Sequence, residues 1–268
     1  MLIVDKIKEH RNNVPKELEG IDELDSTTKD YMLYKFLKDN LNDYPYLLEE
    51  LPVYFMEEIL INEINSYNFE RYFTDNVIKK LNEGTGKLRT ILLNHIEYAN
   101  LIPKLTTEKN YMPSSIYFNN EEKWVSISKY LALFQSRYGK KELISFLNSF
   151  NDRNSCENLY EVMSDTNFFK NALFDDDDII ELVKGNFGKN LNNDSFSKLI
   201  SKMSSLDNPN KYMNLLLDNN IYDRCKKDIS VSYLTRLLFE KDVSLISDIN
   251  INNLSNMELD IIELVNRK

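Results

Sequence analysis

Apolar residues recur at three- and four-residue spacing along almost the whole chain, and nowhere does a sustained two-residue alternation replace them. That periodicity buries one face of a helix and leaves no set of strands to build a sheet. Ser26 and Thr27 precede Asp30 in a capping arrangement, and Leu33, Phe36, Leu37 and Leu41 then share a face. After Pro45 and Pro52 the stripe resumes at Phe55, Met56, Ile59, Leu60 and Ile64. Phe69, Tyr72, Phe73, Ile78 and Leu81 predict a further helix closed by Gly84 and Gly86. A long helix from about Lys87 to Ile102 is expected next, stopped by Pro103.

Between about Leu105 and Glu122 the pattern fails. Ser115-Ile116-Tyr117-Phe118 and Lys123-Trp124-Val125-Ser126 can pair there as a short hairpin, and a plain connecting loop is the competing expectation. Beyond it come short stripes: Tyr130/Leu131/Phe134/Tyr138, Leu143/Ile144/Leu147/Phe150 and Leu159/Tyr160/Met163. They continue through Ile179/Ile180/Val183, Phe196/Leu199/Ile200/Met203 and Met213/Leu216/Leu217. The last are Tyr233/Leu234/Leu237/Leu238 and Ile261/Ile262/Val265. The expected fold is all-α, a multi-helix bundle or a short HEAT-like helical-repeat solenoid, with room for a small β-hairpin near 115–126.

Short helices cannot bury their stripes alone, so they must stack on neighbours. Asp178-Ile179-Ile180-Glu181-Leu182-Val183 recurs identically at 260–265, an offset that fits two helical-pair units, although convergence of two amphipathic helices gives the same match. The division expected is an acidic helical domain over 1–103, a connecting segment over 104–122 and a repeat-like helical domain over 123–268. In a solenoid, Met257 to Val265 would be a capping helix with one polar face.

At 268 residues the chain is long enough to bury a core without staples, and its two cysteines, Cys156 and Cys225, exclude a disulfide-dense scaffold. No apolar run reaches the length of a membrane span, and the stretch from Met1 to Lys6 is too short and polar for a signal peptide. A cytoplasmic location is the expectation. Asparagine is about one residue in eight while alanine and glycine are scarce, a skew that dispersed codon drift explains better than a low-complexity tract. The net charge of −10 argues against nucleic acid or an anionic membrane as a general partner. Residues 17–63 hold thirteen acids against three bases, a surplus equal to that whole net charge. Such a segment is a solubilising face or a docking surface for a basic partner.

The motifs that invite chemistry do not complete themselves. Asp175-Asp176-Asp177-Asp178 lacks the alternation of a calcium loop, and its place before Ile179 reads as a helix N-terminal cap. Gly84-Thr85-Gly86-Lys87 has Leu81 where a phosphate loop needs glycine and Leu88 where it needs a hydroxyl. His95 and Glu97, two apart on the expected helix, would face different sides. No catalytic residue, metal ligand or cofactor is assigned. The region 104–141 is mildly basic and aromatic, and Tyr117 and Trp124 stand in it as candidate partner contacts.

The reading is a non-enzymatic intracellular helical interaction or adaptor protein that binds another protein. Its candidate contact residues are Glu49, Glu50, Glu57, Glu58, Tyr117 and Trp124. Two alternatives stand beside it. One is an acidic inhibitory or immunity-type module that neutralises a basic toxin or a nucleic-acid-binding enzyme. The other is a metal-dependent enzyme whose carboxylate site is assembled from distant residues.

Overall fold

The structure is a computed structural model that describes residues 2–10, 13–113, 115–118, 123–205, 209–216 and 218–225. The fold is all-α, and among the described residues β1 (Ser115–Phe118) and β2 (Lys123–Ser126) form a two-stranded sheet at the positions where the sequence admits a hairpin. The chain divides into two compact units. One is Met1–Asn110 with Ile116–Glu122, and the other is Tyr111–Ser115 with Lys123–Lys268.

The first unit contains α1 (Ile3–Glu9), α2 (Ser26–Asn40), α3 (Val53–Asn62), α4 (Asp75–Leu81) and α5 (Lys87–Leu92). α3 lies at its centre, packed against α2, α4 and α5. Leu33, Phe36 and Leu37 of α2 are buried with Met56, Ile59 and Leu60 of α3, as the stripes require. The cap of α2 is Asp25 rather than Ser26: its carboxylate accepts from the Thr28 amide at 3.1 Å. Two expected helices are broken. The stripe over 69–81 is a 3-10 turn, Phe69–Tyr72, followed by α4, because the Thr74 side chain accepts from the Val77 amide and starts a new helix. The expected helix over 87–102 ends at Leu92, and 3-10 turns over Ile96–Leu101 and Pro103–Leu105 carry the rest.

The second unit contains α6 (Ile127–Tyr138), α7 (Lys140–Asn148), α8 (Arg153–Asp165), α9 (Phe168–Asn171), α10 (Asp176–Lys184), α11 (Asn186–Asn190), α12 (Asn193–Ser201), α13 (Pro209–Leu216) and α14 (Asn219–Cys225). The stacking is between neighbours: α6 on α7 and α8, α10 on α7, α11 and α12, and α12 on α8 and α14. Leu143, Ile144, Phe146 and Leu147 of α7 are all buried, each contributing about 1.5–3 kcal/mol of apolar transfer. At the start of this unit the Met112 amide donates to Ser155 Oγ at 2.7 Å, and Asn158 Nδ2 donates to the Met112 carbonyl at 3.0 Å. Helices α9, α11 and α14 have no counterpart among the sequence stripes. The stripes over 233–238 and 261–265, the second copy of the hexamer and the proposed terminal capping helix lie outside the described residues.

Candidate functional site

Within the acidic segment of the first unit, Asp22, Asp25, Glu49, Glu50, Glu57 and Glu58 are bonded into the fold, while Glu17, Glu19, Glu23, Asp39 and Asp43 are exposed. Glu49 accepts from Thr74 Oγ1 at 2.7 Å and Asn76 Nδ2 at 3.1 Å, and Lys6 Nζ of α1 lies 3.5 Å away. Burial works to raise the Glu49 carboxyl, but these hydrogen bonds and the Lys6 charge outweigh it and hold the group below the usual carboxylate range. Glu50 takes the same Lys6 ammonium at 2.7 Å. The Lys80 ammonium donates to the Glu49 carbonyl, so α1, α4 and the turn over 45–50 are tied together.

Glu57 is only 5% exposed. It accepts from Thr85 Oγ1 at 3.0 Å and from the Leu88 amide at 3.4 Å, fixing the Gly84-Thr85-Gly86-Lys87 loop and the start of α5. Gly84 is glycine because a Cβ there would sit 2.5 Å from Val53 Cγ1. Glu58 faces the other way and accepts from the Tyr34 hydroxyl of α2. Asp22 caps α1 from outside its own helix, accepting from the amides of Ile3 at 3.0 Å and Val4 at 2.9 Å while paired with Lys29 at 2.7 Å. Glu49 and Glu50 are therefore brought together around Lys6, whereas Glu57 and Glu58 are turned to different neighbours. Tyr117 falls on β1 and Trp124 on β2.

What α2 and α3 do present is an aromatic cluster. Tyr31, Tyr34, Lys35 and Lys38 occupy positions i, i+3, i+4 and i+7 of α2, out of phase with the stripe that faces the core. The Tyr34 ring stacks on Phe55 of α3 at 4.3 Å, and Tyr54 lies 4.0 Å from Phe55 on its other flank. Tyr31 extends the group, 6.3 Å from Tyr34 and 6.5 Å from Phe55. Tyr54 is 62% exposed and Tyr31 is 51% exposed, while Phe55 and Tyr34 beneath them are buried. Lys35 stands 5.7 Å over the Tyr31 ring and Lys38 5.2 Å over the Tyr34 ring. The Glu58 hydrogen bond, assisted by burial, raises the Tyr34 phenol above its ordinary value and keeps it a donor. Two wet rings on a buried aromatic base, rimmed by two ammonium groups and a carboxylate, can hold an apolar surface and satisfy polar groups at its edge. The signal that could have found this cluster is its phase: a second aromatic stripe beside the core stripe on the same helix.

The other motifs resolve structurally. Asp175 caps α10, accepting from the amides of Asp177 and Asp178, while Asp178 accepts from the Asp175 amide in a reciprocal box. Lys140 bridges Asp175 and Asp178 at 3.0 and 2.6 Å, and Lys211 pairs with Asp177 at 2.7 Å. Among the described residues no three or more metal-type side chains gather around a point. His95 and Glu97 do meet, at 3.3 Å, contrary to the different-sides expectation, because the helix that would have separated them stops at Leu92. His10 stacks on Tyr46 at 3.7 Å. Burial pushes the Cys156 thiol up to about 12, and Cys225 is buried as well. No helix among the described residues is long and apolar enough to cross a membrane.

Comparison of the chain with protein-family models, with curated proteins and with solved structures finds no match.

Proposed function

We propose that this chain is a non-enzymatic helical interaction protein, an adaptor that binds another protein through the Tyr31–Tyr34–Tyr54–Phe55 face of its first unit. The observation that carries the reading is the pair of exposed tyrosines seated on buried rings. Large, stiff aromatics cost little side-chain entropy on binding and dominate protein interfaces, and a packed base holds them ready. The rings belong to the acid-rich stretch 17–63, whose exposed Glu17, Glu19, Glu23, Asp39 and Asp43 would speed the approach of a partner carrying basic groups, while Lys35 and Lys38 at the rings themselves would meet its acceptors. A thiol pushed to about 12 is no nucleophile at neutral pH, which fits a structural Cys156. The stacking of short helices in the second unit supports, within the same proposal, a helical-repeat scaffold.

The test compares capture of proteins from native lysate by the wild-type chain and by a Tyr31→Ser/Tyr54→Ser variant. Both substitutions are at exposed positions, and circular dichroism should be unchanged. The expected result is a protein retained by the wild type and lost from the variant, with retention weakened by salt. Equal retention by both chains, or no protein retained by the wild type, overturns the reading.

A further inference from the structure

The second unit contains an open groove of about 930 Å3, walled by the end of α10, α11, the start of α12 and α14, with Arg153 of α8 at its edge. Its charge runs against that of the chain. Arg153, Lys184, Lys189 and Arg224 line it against Asp218 alone, in a protein of net charge −10. Arg153, Lys184 and Lys189 are exposed and make no ion pair among the described residues.

Arg224 is the built part of the groove. Its guanidinium donates to the Leu191 carbonyl at 2.6 Å, the Gly188 carbonyl at 3.1 Å and Asn193 Oδ1 at 3.3 Å. It lies 3.7 Å over the ring of Phe196. Three neutral acceptors and an aromatic face orient this half-buried cation; the Glu157 charge favours it from a distance, and no carboxylate stands within ion-pair distance among the described residues. Burial works against its charge, so an anion entering the groove would offset a desolvation cost already present in the fold.

The geometry points to a docking groove for an acidic polypeptide segment, an extended stretch carrying several Asp or Glu side chains. Charge complementarity selects an anion, and the remaining lining selects a peptide over a nucleic acid. The aromatic in the lining, Phe196, is buried beneath the Arg224 guanidinium, so it has no face on which a base could stack. Asn190, Asn192 and Asn193 each use one side-chain amide atom within the fold, toward the Asn186 carbonyl, the Ser195 amide and Arg224, which leaves the other atom of each, with exposed Asn220, to meet an extended main chain. The overall negative charge repels a long polyphosphate more than a short acidic stretch. This groove shares no residue with the tyrosine face, so either site can fail while the other stands.

Fluorescence anisotropy on the full chain tests it, with a labelled peptide of alternating glutamate and glycine as the probe. Its glutamine counterpart and an oligothymidylate of equal charge serve as comparisons. The glutamate peptide should bind, and its affinity should fall about tenfold or more in Lys184→Glu/Lys189→Glu. It should fall less in Arg153→Gln and hold in Lys16→Glu and in Tyr31→Ser/Tyr54→Ser. No binding, equal binding of the glutamine peptide, or affinity unchanged in both groove variants overturns the proposal. Tighter binding of the oligothymidylate also overturns it and reassigns the groove to nucleic acid.

Discussion

The two units treat charge in opposite ways. In the first, the conspicuous carboxylates are turned inward: Asp22, Glu49, Glu50 and Glu57 each bond elements that lie far apart in sequence. In the second, the aspartate run is bonded by its own cap and by Lys140 and Lys211, while Arg153, Lys184 and Lys189 face a groove without partners among the described residues. A long acidic segment thus divides between acids that join elements and acids that face water, and a chain of net charge −10 can still carry a basic concavity. Both units join helices by buried apolar stripes and by ion pairs, but the second also leaves cations to spare on its groove.

The largest expected effects probe what both units share. Leu60→Ala and Leu147→Ala each empty a fully buried site, one in each unit, and should cost about 2–5 kcal/mol in urea unfolding. Hydrogen exchange should then show the loss of protection concentrated in the unit that carries the substitution. Equal loss in both units from either variant would erase the distinction between them.

Glu57→Ala comes next and bears on the first unit alone. It leaves the Leu88 amide and the Thr85 hydroxyl without their acceptor, a loss of about 1–3 kcal/mol. A variant as stable as the wild type would return Glu57 to the role of a surface acid. Asp22→Asn should cost about 1 kcal/mol and speed amide exchange at Ile3 and Val4, whose acceptors it weakens.

Acid titration sharpens the same contrast. Burial pushes the Asp22 carboxyl up, but the Lys29 hydrogen bond and those from Val4 and Ile3 hold it below its ordinary 3.8, as the bonds to Glu49 hold that group below 4.5. The folded form therefore binds these protons less readily than the unfolded chain. Their contribution is complete above about pH 4.5 and is lost as pH falls through the depressed folded values. Urea midpoints should decline from that point downward, and the decline should shrink in Asp22→Asn. A midpoint flat across this range would show that the inward carboxylates add nothing. The smallest effect is expected at Lys184→Ala and Lys189→Ala, each within about 0.5 kcal/mol of the wild type, because neither side chain has a partner to lose among the described residues.

Much of the helical architecture was legible from spacing. The stripes at Leu33/Phe36/Leu37 and Leu143/Ile144/Leu147 are buried faces, the hairpin strands occupy the segments the failed periodicity left open, and the Asp175 cap stands where the aspartate run pointed. Less legible were the breaks at Thr74 and after Leu92, where apolar spacing continues while the backbone changes to a cap or a 3-10 turn. The very short helices α9 and α11 were missed because a turn or so of helix holds too few residues to display a period. Of the candidate contacts, the tyrosine cluster had a readable phase on α2, but its base, Phe55, comes from another helix.

Sequence alone determined which residues can share a helical face, because positions three and four apart are neighbours by the geometry of the helix itself. It also determined the Asp175 cap, whose donor and acceptor lie three residues apart. Tertiary structure decided the fate of each charge. Glu57 is bonded inside the first unit because Thr85 and Leu88, 28 and 31 residues away, bring their donors to it. Arg224 is oriented over its groove because Gly188 and Leu191, 36 and 33 residues away, bring their carbonyls. A carboxylate or a guanidinium has no preferred side until a partner desolvates and binds it, and partners so distant in sequence meet only when helices have packed.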